Sequence, residues 1–139
     1  MGLRLDRLTY RSTATGTTGS LLNLAAILAE SQRNNARDGL TGALAAHKDE
    51  YLQVIEGPAQ ALDSLLRRLS ADARHRDLVI LDRALIRTRL FGDWGMASAR
   101  FTPELAPALD AVMAGRELSG DQITALLLQA VARDEDRVA

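Results

Sequence analysis

The chain has 139 residues, a length that suits one globular domain whose core is large enough to fold without disulfide bonds. It contains no cysteine and only two histidines, which excludes a disulfide framework, a thiol nucleophile and a histidine-rich metal site. Its 17 basic and 18 acidic residues give a net charge of −1, a balance that argues against a general nucleic-acid binder.

The sequence shows no sign of export or of membrane insertion. Its first residues, Met1-Gly2-Leu3-Arg4-Leu5-Asp6, lack the apolar run of a signal peptide. No stretch of 20 residues, the usual length of a transmembrane helix, is free of charged residues. We therefore expect a cytoplasmic protein that has no membrane partner.

The first half of the chain predicts a strand, a helix and then two more strands. Apolar and polar residues alternate over residues 6–12, which predicts a strand. Leucines at helical spacing predict a helix over residues 21–37, and Asp38-Gly39 closes it because glycine tolerates the left-handed conformation that ends helices. Two strands follow, over residues 40–46 and 51–56.

The second half continues with a helix and two strands. Pro58 suits the first turn of this helix, whose leucines continue at helical spacing to an end near Arg74. Residues 78–88 and 94–100 are predicted as strands, separated by a turn around Gly92.

The tail from Thr102 onward predicts two further helices. Ser119 and Gln122 fit a capping box at the start of the last one. The element order β-α-β-β-α-β-β predicts an α+β fold, a ferredoxin-like sandwich with one extra strand. Because both faces of an apolar sheet need a cover, we divide the chain into residues 1–101 and a helical cap, residues 102–139, on the opposite sheet face.

Three polar residues lie on faces that should be apolar. Asn35 continues the inward stripe of the first helix, Gln53 lies in an otherwise apolar strand, and Tyr10 can reach Gln53 if their strands pair. An unpaired buried amide costs on the order of a few kcal/mol, so each amide needs partners. The structural alternatives are a helix-end asparagine that is wetted by solvent or bonded to a nearby carbonyl, a glutamine bonded to backbone, and a core tyrosine with its hydroxyl at the edge.

Trp94 and Met96 share one face of the last predicted strand, and filling of the core is their structural alternative. Together with Tyr10, Asn35 and Gln53 they outline an apolar pocket that contains amides and a phenol. Such a composition is typical of a site for a flat organic ligand. The spacing alone does not say which ligand binds.

A charged cluster near the predicted end of the second helix is another candidate site. It consists of Asp72, Arg74, His75 and Arg76. Arginine matches the geometry of phosphate groups, so the cluster could anchor the phosphates of a ligand. It could equally be an ordinary charged helix terminus, where cations are favoured.

Six short blocks carry a family resemblance. They are Tyr10-Arg11-Ser12, Ser31-Gln32-Arg33-Asn34-Asn35, Gly39-Leu40-Thr41-Gly42, Tyr51-Leu52-Gln53-Val54-Ile55-Glu56-Gly57-Pro58, Asp72-Ala73-Arg74-His75 and Phe91-Gly92-Asp93-Trp94-Gly95-Met96. In this order and with these gaps they resemble the BLUF family, blue-light sensors that use FAD. The resemblance covers roughly residues 6–100 and is far more specific than any single block.

The resemblance implies a photoreceptor without enzymatic activity, in which residues 1–101 hold FAD between the two helices that cover the sheet. Tyr10 would be the photo-electron donor, and Gln53 the amide between it and the flavin. Trp94 and Met96 would lie on the strand that rearranges after illumination. The remaining cofactor-binding residues would be Ser31, Asn34 and Asn35 near the ring, and Arg74 and His75 toward the ribityl and phosphate end, with Met96 also at the cofactor.

One departure from the family concerns Tyr51, where phenylalanine is usual. Tyr51 shares a face with Gln53, so a second phenol could compete with Tyr10 as donor. We expect the chain to be a short member of the family, one without an effector domain. We expect such a protein to form a homo-oligomer and to signal by binding a separate partner protein.

Two other functions are compatible with the same fold, since fold alone does not fix function. An acylphosphatase-like enzyme would use Arg37 and Asn35 to bind phosphate. An interaction or nucleic-acid module would use Arg83, Arg87 and Arg89 on the fourth strand. Only the photoreceptor hypothesis predicts a yellow protein.

Overall fold

The computed structural model describes residues 4–14, 33–47, 50–71, 75–92, 97–98, 107, 110–111 and 119–138. The strands are β1 (Leu5–Ala14), β2 (Thr41–His47), β3 (Glu50–Pro58), β4 (His75–Ile86) and β5 (Ala97–Ser98). The helices are α1, described over residues 33–38, α2 (Ala59–Ser70) and α3 (Gly120–Val138), and residues 107, 110 and 111 are helical as well. None of the helices within these ranges is long and apolar enough to cross a membrane.

The five strands form one sheet in the order β4-β1-β3-β2-β5. β1 pairs antiparallel with β3 and β4, and β2 pairs antiparallel with β3. The short β5 adds to β2 in parallel. The first four strands have the order of a ferredoxin-like sheet, and β5 is the extra strand, so the predicted fold class is confirmed.

Each face of the sheet carries its own core. The front face, which α2 covers, packs Leu8, Tyr10, Leu40, Leu44, Tyr51, Ile55, Leu62 and Leu65. The back face, which α3 covers, packs Ala43, Ala45, Leu52, Val54, Phe91, Ile123 and Leu127. The last helix of the tail therefore lies on the sheet face opposite α2, as the sequence predicts.

The start of α3 is held by the capping box that the sequence predicts. The backbone N–H of Ser119 donates to Oε1 of Gln122 at 2.8 Å, and the backbone N–H of Gln122 donates to Oγ of Ser119 at 3.1 Å. This reciprocal pair satisfies two donors that a helix start leaves open. Because Ile123 and Leu127 are four residues apart, they lie on the same face of α3, and both side chains pack against the sheet.

The predicted bounds of α2 are wrong at both ends. Pro58 is the N-cap and ends β3, so it precedes the first turn, and the helix ends at Ser70. His75 and Arg76 do not lie at a helix terminus, because they open β4 and pair with Ala14 and Thr13 of β1. The pairing of β4 with the whole length of β1 decides where β4 begins, and it outweighs the helical spacing of leucines that predicted a longer α2.

β4 is the edge strand beside β1, and it begins earlier and ends earlier than predicted. Its register against β1 shifts between Thr9 and Tyr10 and again between Arg11 and Thr13. The second shift includes Asp77, whose φ of 54° is unusual for a residue with a side chain. Both shifts leave an extra residue on β4, as β-bulges do. Large apolar side chains remain exposed on this strand, namely Val79, Ile80 and Leu85.

A buried carboxylate joins β1 to β4 and to the start of α2. Asp6 Oδ1 accepts a hydrogen bond from Arg4 Nε, and Asp6 Oδ2 accepts one from Arg83 Nε, both at 2.9 Å. Arg83 also donates to Asp63 Oδ1 at 2.7 Å and to the carbonyl of Ala59 at 3.2 Å. Burial by itself raises the pKa of Asp6, but the hydrogen bonds from Arg4 and Arg83 outweigh burial and hold it below the ordinary value.

We expect Asp6→Asn to lower the free energy of unfolding at neutral pH by about 2 kcal/mol. This is less than the roughly 3–5 kcal/mol of a fully buried broken pair, because Arg4 is exposed and Arg83 is partly exposed. Because the folded-state pKa is depressed, the carboxylate stabilises the fold above its ordinary pKa, and the effect is lost as the pH falls through the lowered value. Urea denaturation at neutral pH and at about pH 3 measures both differences. The gap between wild type and variant should narrow in acid, and a constant gap would contradict this account.

Candidate functional site

A row of paired residues crosses the front face at the centre of the sheet. Tyr10 on β1 lies directly opposite Gln53 on β3, and Leu44 on β2 lies on the other side of Gln53. Paired residues share a face, and their Cβ atoms are about 5 Å apart. β1 and β3 therefore pair in the way that this site requires, and the pairing places the side chain of Tyr10 next to that of Gln53.

Both residues are shielded from water. Tyr10 is 3% exposed and Gln53 is 6% exposed. β3 is buried on both faces from Tyr51 to Gly57, so water cannot supply hydrogen bonds to either side chain. A buried amide without hydrogen bonds is costly, and for this reason the glutamine demands partners inside the front core.

Asn35 lies on the same side of the sheet. The end of α1 lies beside α2, since Asp38 Oδ2 accepts a hydrogen bond from Arg68 Nη2 at 3.0 Å, and α2 covers the front face. Asn35 is only 2% exposed, so a solvent-wetted asparagine at a helix end is wrong for this residue. Its neighbour Asn34 is partly buried.

The turn after α1 fixes where Asn35 lies. The carbonyl of Asn35 accepts a hydrogen bond from the backbone N–H of Leu40 at 2.8 Å. Gly39 between them has a φ of 72°, the left-handed conformation that glycine adopts without strain. The predicted closure of the helix by Asp38-Gly39 therefore places Asn35 on the last turn, next to the entry into β2.

Tyr51 occupies a different place from Tyr10. It lies on β3 two residues before Gln53, on the same face, and it pairs with Ser12 of β1. It is buried in the front core. Residues two apart along a strand are about 7 Å apart, whereas directly paired residues have Cβ atoms about 5 Å apart, so the Cβ atom of Tyr10 is the closer of the two to that of Gln53.

An open cleft of about 610 Å³ lies between the end of α1 and α2. Its lining includes Arg37, Arg67 and Arg68, and Asp38 is the acidic residue among them. Hydrogen bonds from Arg37, together with those from Arg68, hold the pKa of Asp38 below its ordinary value despite partial burial. The cleft thus has an excess of positive charge, which suits a phosphate-bearing ligand.

The sequence interpretation overlooked Arg67 and Arg68 as candidate ligands. The sequence does contain an indication of these ligands, because two adjacent arginines lie in the last turn of a helix whose inner stripe is apolar. Whether this pair lies near a third basic residue depends on how α1 packs, which local spacing does not reveal.

Several of the predicted site residues lie outside the described part of the chain. These are Ser31, Arg74, Trp94 and Met96. The backbone of His75 is described at the start of β4, but its side chain is not.

The geometry weakens both alternative functions. Arg37 is exposed and pairs with Asp38, whereas Asn35 is buried, so the two do not converge on one phosphate. Arg83 is held by Asp6 and Asp63 in the ion pairs given above, so it is not available to a nucleic acid. Among the described residues, no group of three or more acidic or histidine side chains could hold a metal ion.

Comparisons with known proteins point one way. The sequence matches the model of the BLUF family, sensors of blue light using FAD, over residues 5–97. Subunit beta of the photoactivated adenylate cyclase of Euglena gracilis is 35% identical over 96 residues, which make up 68% of this chain but only 11% of that protein.

Solved structures agree with the sequence comparison. The dark-state structure of BlrB, a BLUF protein, is similar with a TM-score of 0.76 and 34% identity, over 96% of this chain and 99% of that one. BlrP1 of Klebsiella pneumoniae is similar with a TM-score of 0.68 and 30% identity, over 92% of this chain and 33% of that one.

Proposed function

Because the chain belongs to the BLUF family of blue-light sensors that use FAD, we propose that it is a photoreceptor that binds FAD beside Tyr10 and Gln53. The observation that carries the proposal is the direct pairing of Tyr10 with Gln53 across β1 and β3 on the buried front face. A phenol and a primary amide held side by side in an apolar core are the two groups that a light-driven hydrogen-bond switch requires.

The described residues fit a flavin. Asn35 and Gln53 supply buried amides on the front face, and such amides suit the polar edge of a flat ring. Leucines of the front core, including Leu62 and Leu65 on α2, supply apolar contacts. The arginines of the cleft between α1 and α2 are suited to the phosphates, and we propose Ser31, Asn34, Arg74, His75 and Met96 as the remaining contacts.

A bound flavin supplies a strong oxidant when it absorbs blue light. Tyr10 is the group that gives up an electron and its phenolic proton. Gln53 is paired with Tyr10 across the two strands and has both a donor and an acceptor on its amide, so it can relay the proton toward the flavin. When the electron and the proton return to Tyr10, the Gln53 amide is left in a reversed or tautomeric arrangement. The product is a changed pattern of hydrogen bonds with no net reaction, which is why no catalytic group is needed.

The output of the switch is a change in structure that another protein reads. We propose that Trp94 and Met96, on the segment leading into β5, rearrange when Gln53 changes its hydrogen bonds. Residues 102–139 act as a helical cap on the back face, and the chain signals as a homo-oligomer to a separate partner. The name of the Euglena relative describes a light-activated cyclase, but this chain matches only a small part of that protein.

The first expectation concerns the holoprotein. Purified protein should be yellow, and blue light should shift its flavin absorption reversibly to longer wavelength, because changed hydrogen bonds at the ring alter its electronic spectrum. Absorption spectra in the dark, under illumination and after dark recovery provide the measurement. A colourless protein that takes up no added FAD contradicts the proposed function.

The second expectation concerns the donor. Tyr10→Phe removes only a hydroxyl from the front core, so flavin binding should persist while the reversible red shift is lost. Tyr51→Phe is the matched control, because it removes the same group two residues from Gln53 and should keep the shift. Light-minus-dark difference spectra of both variants distinguish the donors, and the reverse pattern would assign the role to Tyr51.

The third expectation concerns the amide. Gln53→Leu replaces a buried amide with an apolar side chain of similar size, so the thermal midpoint should stay within a few degrees of wild type or rise. The variant should bind flavin but form no stable red-shifted state, since leucine has no dipole to reorient. Steady-state difference spectra provide the measurement, and a shift like that of wild type would exclude Gln53 as the switch.

A further inference from the structure

The back face of the sheet contains a buried carboxylate that the proposed mechanism does not use. Glu56 lies on β3 three residues after Gln53, and the alternation of side chains along a strand places it on the opposite face. It is 0% exposed. A charge buried this deeply persists only when partners surround it.

The partners of Glu56 come from three parts of the chain. Oε2 accepts hydrogen bonds from Arg7 Nη2 at 2.9 Å and Nε at 3.1 Å, and also from the backbone N–H of Leu90 at 2.8 Å. Oε1 accepts one from the backbone N–H of Phe91 at 2.8 Å and one from Thr41 Oγ1 at 3.4 Å. Arg7 and Thr41 are also the residues that flank Glu56 across the sheet.

One residue of β3 therefore anchors the segment that follows β4. Leu90 and Phe91 are held by the Glu56 carboxylate, and Arg89 Nη1 donates to the backbone carbonyl of Glu56 at 3.2 Å and to Thr41 Oγ1 at 3.1 Å. Three consecutive residues, Arg89 to Phe91, are tied in this way to a single point on the strand that carries Gln53.

The anchored segment reaches the docking surface of α3. The side chain of Phe91 is fully buried in the back core, where it packs among Ile123 and Leu127 of α3 and Leu52 and Val54 of β3. A displacement of β3 at Gln53 and a displacement of α3 thus act on the same buried ring. Close-packed cores transmit such shifts because they have little free volume.

We propose that Glu56 is a positioning residue that couples the Gln53 site on the front face to the docking of α3 on the back face. The coupling rests on the proposed function, since it is the light-induced rearrangement at Gln53 that it would transmit. Without the carboxylate, the segment from Arg89 to Phe91 loses its anchor, and the two faces respond independently.

A double-mutant cycle on the rate of dark recovery tests the coupling. Leu127→Ala loosens the docking of α3, and Glu56→Gln removes the charge and turns an amide N–H₂ toward backbone donors. In the wild-type background we expect Leu127→Ala to change the recovery rate about threefold or more, within the range of coupling between separated sites. In the Glu56→Gln background the same substitution should change the rate by less than about 1.5-fold, because residue 56 no longer couples β3 to the segment from Arg89 to Phe91.

Controls separate coupling from loss of stability. Leu69→Ala shortens a leucine packed against the front core, so its effect on recovery should be equal in both backgrounds. Hydrogen exchange should show faster exchange of the amides of Leu90 and Phe91 in Glu56→Gln. If Glu56→Gln does not fold, Arg89→Met replaces it, since it weakens the anchor without leaving an unmatched charge in the core.

The outcomes are distinguishable from failure of the proposed function. Absence of a red-shifted state in the wild-type protein refutes the photoreceptor itself. If the wild-type state forms and Leu127→Ala alters recovery by the same factor in both backgrounds, Glu56 has only a structural role and the coupling is overturned. A lack of any effect of Leu127→Ala in the wild-type background overturns it as well.

Discussion

The burial of β3 on both of its faces is the constraint on which the rest of this structure depends. From Tyr51 to Gly57 the strand has neither face open to water, because α2 covers one side and α3 the other. Any polar side chain on such a strand must be satisfied by the protein or by a ligand. The strand nonetheless carries the Gln53 amide and the Glu56 carboxylate, and both are buried among the surrounding elements.

The surroundings of the Gln53 amide and of the Glu56 carboxylate differ. Glu56 receives a full set of donors from Arg7, Thr41 and the segment after β4, so the hydrogen bonds of its carboxylate are complete. Gln53 lies opposite Tyr10, whose hydroxyl can donate or accept, in a core that consists mainly of apolar side chains. A glutamine with a phenol as neighbour has more than one way to arrange its bonds. One face of the strand is therefore fixed, and the other is able to change.

Local patterns predicted the parts of this protein that local interactions determine. The capping box at Ser119 and Gln122, the glycine turn after α1 and the anomaly of Gln53 all rest on residues a few positions apart, and the structure contains each of them. The end of α2 was mispredicted because pairing with β1 decides where β4 begins. The role of Glu56 was missed for the same reason, since Arg7 and Phe91 reach it only through the fold. Within the candidate site, the pairing of Tyr10 with Gln53 could be predicted from the sequence. The basic cleft could not, because it depends on how α1 packs on α2.

The irregular pairing of β4 has a consequence for the protein at high concentration. An outer strand with exposed Val79, Ile80 and Leu85 is the kind of surface on which a second chain can extend a sheet. The extra residues that β4 carries at its two register shifts interrupt its line of outward N–H and C=O groups, so a straight incoming strand can match only a short stretch. The bulges thereby act as a built-in safeguard against fibril-like stacking, and regularising them would make the same apolar strand an aggregation hazard.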